Sequence, residues 1–534
     1  MIQAPAAYWY LALCVAWLLP GLVGHAPWKG PDSETFARLL VVRQQADWLF
    51  PASAVESRVF PQLYFWVAQL LGKLLSPVLA FHDAVRLTSG VFSGLALWLT
   101  AMTARRLYGD QAFWLAGLAL LGCMGLLVPA HEINPYTVQL AAIALFAYGL
   151  ARMLEQPLAG GGLAGLGLAG LFLSGAWLVA LALAIALLLL PALFPSWRTS
   201  ARVGGSWFAL TVGVALCGVW LLAVKSQHPG RLALWWQAAM GHAVFMAKDT
   251  SKYNPLYFIN TLTWFGWPAW PLAGWAVYRL KRDGWDSVRL WMPLGMFLVA
   301  LLALSLLVRS EQLQAIVLLP AVALLASAGL GDLKRGAANA LLWFSLMVFS
   351  FFALVFWTYW SAFDLGWPAQ LARRVAKLGL ESQGLRPLSL ALGLLVTVSW
   401  VGWLIWLKRQ PRTPRRPLLV WGAGITFVWC LLMALFLRPL DDRLSMLRVA
   451  ESIKDKTGVT TCLATQNLNQ SQRLLLGYHT GLTLKPGKPA ECRWLLTYRK
   501  DRKEASPGPG WIKRWEGARP GEKNERYGLY QKSE

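Results

Sequence analysis

A polytopic helical membrane protein with a small mixed α/β domain at its C-terminal end is the fold class this sequence predicts, and three observations predict it. The chain of 534 residues is 57% hydrophobic and 14% charged, whereas about a quarter of the residues in a soluble protein are charged. Thirty of its 76 charged residues fall in the last 97 positions, which leaves 46 for the first 437. Apolar runs of about 20 residues, long enough to cross a bilayer, recur throughout those 437 positions. A soluble globule, a disordered chain and a nucleic-acid binder all fit such a distribution poorly.

The runs lie at residues 8–24, 87–104, 112–129, 136–153, 158–175, 177–194, 206–224, 256–278, 290–308, 313–330, 338–359, 388–407 and 418–437, thirteen in all. The first lacks both a basic leading segment and a small-residue cleavage site, so it reads as a retained helix rather than a signal peptide. Lys and Arg number 50 against 26 Asp and Glu, a net charge of +24. Much of the excess sits in short loops between runs, at Arg105 and Arg106, Arg152, Arg198 and Arg202, Arg279 to Arg289, Lys334 and Arg335, and Lys408 to Arg416. Such residues mark the cytoplasmic ends of spans. The N-terminus is therefore expected inside and, with thirteen spans, the tail outside; cations left on the outer face are candidates for an anionic lipid or a phosphate. Cys14, Cys123, Cys217 and Cys430 lie in apolar runs and read as core residues. Cys462 and Cys492 lie in the polar tail, where an oxidising compartment would allow a disulfide.

The long loop at 25–86 is patterned. SETFARLLVVRQQA at 33–46 predicts an amphipathic helix with Asp32 or Ser33 as its N-cap. PQLYFWVAQLLGKLLSP at 61–77 is apolar enough for a short span, but counting it would put the basic loops outside, so it reads as an interfacial helix in the membrane plane. Residues 363–385 are a second interfacial candidate. Residues 1–437 form the membrane domain and 438–534 the tail. The tail opens with a helix-like LSMLRVAESIKDKTG, after which TTCLATQ, RLLLGYHTG, CRWLLTY and RYGLYQK read as strands between Pro and Gly turns.

Acids are scarce in the membrane body, so each can be weighed. Asp32 and Glu34 follow the first run within WKGPDSETFA, and Glu132 lies between the third and fourth within PAHEINPYTVQ. Helix capping is the plain reading of Asp32. A charge reaching the interface beside an Arg is the plain reading of Glu132, yet ionisable groups at such depth are costly enough that function is the usual reason to keep them.

WKGPDSETFARLLVVRQQADWLFP resembles the first periplasmic loop of the bacterial family 39/83 membrane glycosyltransferases, the group of the lipid A aminoarabinose transferases and relatives of the protein O-mannosyltransferases. Pro31-Asp32, Phe36-Ala37 and Asp47-Trp48-Leu49-Phe50-Pro51 match its pattern. FPQLYFWVAQLLG, HDAVRLTSGVFSGLALWLTAMTARRLYGD, HEINPYTVQLAAIALFAYGLAR and RSEQLQAIVLLPAVALLASAG resemble, in order, its interfacial helix and three of its spans. The likeness extends to about residue 335. It implies a GT-C fold in the bacterial inner membrane and hexosyl or pentosyl transfer, from a polyprenyl-phosphate donor to a lipid, glycan or protein acceptor at the periplasmic face. It implies Asp32 as general base, with Glu132 and Glu34 as further acids. It places Arg58, His242, Lys248, Lys252 and Arg309 as donor-phosphate contacts. Related folds differ in their need for a divalent cation; no ligand cluster is visible here, and no metal site is assigned.

This chain departs from the pattern in three places. Ser33 separates Asp32 from Glu34, Asn134 stands where the aminoarabinose transferases carry an Asp before Pro, and Leu173-Ser174-Gly175 replaces Thr-Lys-Gly. These leave the reaction class standing and speak against aminoarabinose and lipid A specificity. A lipid or solute transporter is the competing reading, but transporters carry charges in mid-span and inverted repeats, and neither pattern appears. A scaffold with a periplasmic interaction domain would have no need of Asp32.

Overall fold

The computed structural model describes residues 4–45, 47–50, 62–241, 254–284, 287–377, 384–411, 413–458, 462–487, 492–500, 507–508, 510–522 and 524–533. Each of the thirteen apolar runs contains helix, as expected where lipid offers backbone groups no partner. In chain order the helices before the tail are α1 (Ala4–Leu18), α2 (Pro31–Gln45), α3 (Gln62–Leu75), α4 (Phe81–Tyr108), α5 (Asp110–Leu121), α6 (Met124–Leu127), α7 (Tyr136–Met153), α8 (Pro157–Leu173), α9 (Trp177–Leu193), α10 (Ser200–Gln227), α11 (Pro229–Gly241), α12 (Tyr257–Phe265), α13 (Ala269–Leu280), α14 (Val288–Leu307), α15 (Leu319–Gly329), α16 (Arg335–Trp360), α17 (Ala369–Ala376), α18 (Pro387–Lys408) and α19 (Arg416–Leu444). Among the described residues eight helices are long and apolar enough to cross a membrane. The pair Asp110–Leu121 and Met124–His131, bent by 73°, has the geometry of a broken span or of a re-entrant loop. The run at 256–278 is broken into α12 and α13, and three others form shorter apolar helices of 10–17 residues.

At one end of the bundle the first loop folds back as α2 and α3. Gly72 lets α3 cross α4, since a Cβ there would lie 2.4 Å from the Phe81 ring. Phe36, Leu39, Tyr64, Phe65 and Phe81 share one core with Val449, Ile453, Leu475, Leu476, Leu496 and Tyr527 of the tail. Each such side chain, fully buried, contributes about 1.5–3 kcal/mol. Polar contacts fix the register: the Lys29 N–H donates to the Leu444 carbonyl at 2.8 Å, and the Lys29 ammonium meets Glu522 at 3.0 Å.

Helix α19 runs through Leu444, past residue 437, and the tail's own elements start at α20 (Leu447–Thr457). They continue as β1 (Cys462–Gln466), α21 (Gln470–Thr480), β2 (Thr483–Pro486), β3 (Trp494–Arg499), β4 (Trp511–Gly517) and β5 (Arg526–Lys532). Their order in the sheet is β2-β1-β3-β5-β4, with β1 parallel to β2 and β3 and β5 antiparallel to β3 and β4. RLLLGYHTG is thus helix, not strand. Asn469 and Gln472 form a capping box before it, and Gly481 at φ +74° ends it in the left-handed region. Cys462 and Cys492 are joined as a disulfide with Cα atoms 5.3 Å apart, at a sequence separation of 30. Closing a loop of that size stabilises by roughly 3 kcal/mol, so Cys462→Ser is expected to speed proteolysis of the tail while the membrane helices stay protected.

Candidate active site

The end of the bundle that carries the tail holds a knot of buried charge. Asp32, second residue of α2, has no exposed surface. Its Oδ2 accepts the Trp28 N–H at 2.7 Å, and its Oδ1 accepts the Ile133 N–H at 2.8 Å. The guanidinium of Arg86, on α4, lies 3.5 Å from Oδ2 and is itself fully buried. Arg86 also donates to Asp83 Oδ1 at 2.9 Å and to the His25 carbonyl at 3.1 Å. Asp83 Oδ2 accepts the Gly24 N–H at 3.1 Å. From α19, Asp441 accepts the Ala26 N–H at 3.1 Å and the Trp28 indole N–H at 3.3 Å. Three carboxylates on three elements thus hold residues 24–28, with one arginine between two of them. Asp32 is not the N-cap the sequence suggested, because α2 already begins at Pro31. Its carboxylate joins the chain just ahead of the helix, at Trp28, to the 129–136 segment at Ile133.

Beside this knot opens a cavity of about 680 Å³. Glu34, Glu132 and Glu311 contribute acids to it, Arg38 a guanidinium, and Trp177 and Trp264 indole faces. Asp32 is not among the lining residues. Burial pushes the Glu132 carboxyl up to about 8, the negative charge of Asp32 adds to the rise, and Arg86 opposes it in part. Glu34, two residues beyond Asp32, is exposed. Glu311 accepts the Tyr136 hydroxyl at 2.7 Å and caps the short helix Gln312–Leu318.

The raised carboxyl has a consequence for stability. Glu132 stays protonated in the folded protein up to about pH 8, whereas in the unfolded chain it ionises near pH 4.3. Stability contributed at low pH is therefore lost as pH rises through that window. Glu132→Gln, which cannot ionise, is expected to raise Tm by about 3 °C relative to wild type at pH 8 and to leave it unchanged near pH 4.5; thermal unfolding at the two pH values checks it.

No family model and no curated protein matches the sequence. Solved structures do match. ArnT from Cupriavidus metallidurans bound to undecaprenyl phosphate superposes with a TM-score of 0.71 at 15% identity, over 99% of this chain and 98% of that chain. Its apo form gives 0.67 at 14% identity over the same shares.

The chain has the GT-C fold of ArnT.

Within this GT-C fold the sequence-predicted residues separate into groups. Glu34 and Glu132 line the cavity and Asp32 lies behind its wall. Arg309 is exposed in the turn between Val308 and Glu311, both of which face the cavity, and is not itself part of the lining. Arg58, His242, Lys248 and Lys252 lie outside the described residues. Among the described residues no three His, Cys, Asp or Glu side chains converge as a metal site. Sequence reasoning missed Arg86, Asp83, Asp441, Arg38 and Glu311. The signal for the first two was in plain view: HDAVR puts both charges in the first turns of an apolar helix, where an ionisable group needs a partner.

Proposed function

We propose that this chain transfers a sugar from a polyprenyl-phosphate donor to a hydroxyl on a lipid, glycan or protein acceptor, at the periplasmic face of the bacterial inner membrane. The observation that carries the reading is the acid-lined cavity beside the first loop, in a chain whose fold follows ArnT over nearly its whole length. That ArnT was solved with undecaprenyl phosphate bound supports a lipid-phosphate donor, and the basic loops support an outward-facing tail.

In the proposed reaction the acceptor oxygen attacks the anomeric carbon as the bond from that carbon to the phosphate oxygen breaks. The bond's electron pair leaves with the polyprenyl phosphate, and the acceptor proton goes to a carboxylate. Single displacement inverts the anomeric centre. Glu132 suits the proton acceptor better than Asp32 does. Its carboxyl lines the cavity, and the burial that raises its pKa makes the ionised form more basic, whereas Asp32 is fully buried and both its oxygens already accept backbone N–H groups. Asp32 is then a positioning residue that fixes the 129–136 segment and, through it, Glu132. Arg38 joins Arg58, His242, Lys248, Lys252 and Arg309 as candidate cations for the departing phosphate, where guanidinium and ammonium groups stabilise developing charge.

Proteoliposomes given a polyprenyl-phosphate donor labelled in the sugar test the reading. Label that leaves the polyprenol and joins a second molecule supports transfer. Label that crosses the bilayer still attached to polyprenol would establish a transporter instead.

A further inference from the structure

Helix α17 sits on the perimeter of the bundle. It joins the spans built on α16 and α18, in each of which only 11% of the apolar window is buried, the lowest share among the eight described spans. Lipid therefore covers most of both, and the segment strung between them lies at the lipid boundary. Its mount is fixed. Asp364, buried just past the end of α16, accepts the Arg386 guanidinium through both oxygens, at 2.9 and 3.2 Å. Arg386 donates in turn to the Leu435 carbonyl of α19 at 3.2 Å, which sets α17 on the end of the bundle that carries the tail.

The helix has two unlike faces. Leu371 and Ala372 are half-buried and Val375 is buried against the protein, while Arg373, Arg374 and Lys377 are exposed on the opposite side. Cations at other helix ends are paired, as Arg105 is with Asp110 and Arg448 with Asp442. These three form no ion pair among the described residues. Glu381, the one acid of the sequence from 366 to 386, lies outside the described residues. Just ahead of the helix Leu365 is 56% exposed and Trp367 70%. An exposed indole beside unpaired cations is the pairing found where a protein meets the headgroup layer.

We propose that this face of α17 docks the headgroups of anionic phospholipids in the leaflet on the tail side, with Arg373, Arg374 and Lys377 on their phosphates and Leu365 and Trp367 at the acyl boundary. Guanidinium groups grip a phosphate through two parallel N–H donors. A zwitterionic headgroup carries its own ammonium and gains little from three more cations, whereas a headgroup of net negative charge is drawn to each of them. The lipid-facing flanks on both sides favour a bilayer lipid over a soluble acidic partner. None of the residues lining the cavity falls between 361 and 386, so the docking face is separate from the candidate active site and independent of the sugar-transfer reading.

The full-length protein, reconstituted in phosphatidylcholine vesicles, tests this with a trace of photoreactive phosphatidylglycerol or, in a parallel set, photoreactive phosphatidylcholine. Cross-links are mapped by mass spectrometry. The 365–377 segment should take up the anionic probe about tenfold over the zwitterionic one at low salt, and the excess should shrink at about 1 M salt. Arg373→Gln with Arg374→Gln and Lys377→Gln should bring the two probes level at unchanged Tm, since all three side chains are exposed. Arg373→Lys with Arg374→Lys should keep most of the preference. Equal labelling by the two probes in wild type, or a preference that survives the triple Gln variant, overturns the proposal. So does displacement of the anionic probe by polyprenyl phosphate but not by excess unlabelled phosphatidylglycerol, which would give the face to the donor lipid instead.

Discussion

Glu132→Gln is expected to slow sugar transfer by about 10²–10⁴-fold while the protein remains folded, the usual contribution of a well-placed general base. Burial and the neighbouring Asp32 charge hold the Glu132 carboxyl at about 8, which makes its ionised form a strong proton acceptor. Because the ionised form does the work, wild-type kcat/KM should rise with pH up to about 8 and level off above it. The variant should show a flat, low profile. Retention of the rising limb in Glu132→Gln would assign the proton acceptor elsewhere. Glu34, exposed in the same cavity, is the next side chain to test.

The second large effect concerns the charge knot. Arg86→Met is expected to destabilise the protein by about 3–5 kcal/mol, since removing one partner of a buried ion pair leaves the others uncompensated. Here the orphans would be Asp32 and Asp83, on two different helices. Arg86→Lys should recover only part, because an ammonium cannot bridge both carboxylates and the His25 carbonyl with fixed geometry. Adding Asp83→Asn to Arg86→Met should restore some of the loss, the coupling expected of residues in one network. Thermal unfolding of the four proteins in one detergent reads all of this. A loss under about 1 kcal/mol for Arg86→Met would show that the knot contributes little.

The helical body could be read from the sequence because lipid imposes one rule on every backbone segment, and hydropathy reports it directly. Glu34 and Glu132 could be read because a membrane chain keeps few acids. Asp32 stands out for the same reason, but its contacts are not those of the helix cap that the local sequence predicts. Its partner, the Ile133 N–H, lies 101 residues away, and nothing local separates a capping carboxylate from one that reaches another loop. RLLLGYHTG resembles a strand in its apolar run, but the Asn469–Gln472 box ahead of it and Gly481 after it are helix signals. Nothing within RSEQLQ marks Glu311, because its place in the cavity depends on the start of α7 meeting the Gln312–Leu318 helix, which spacing does not reveal.

The most direct measurement pairs product with leaving group. Purified wild-type protein, given a labelled polyprenyl-phosphate sugar and an acceptor-rich membrane extract, should release one polyprenyl phosphate for each sugar transferred, and Glu132→Gln should lose both together. Sugar transfer undiminished in that variant, or donor that moves across the bilayer with its sugar still attached, would contradict the proposed site and reaction.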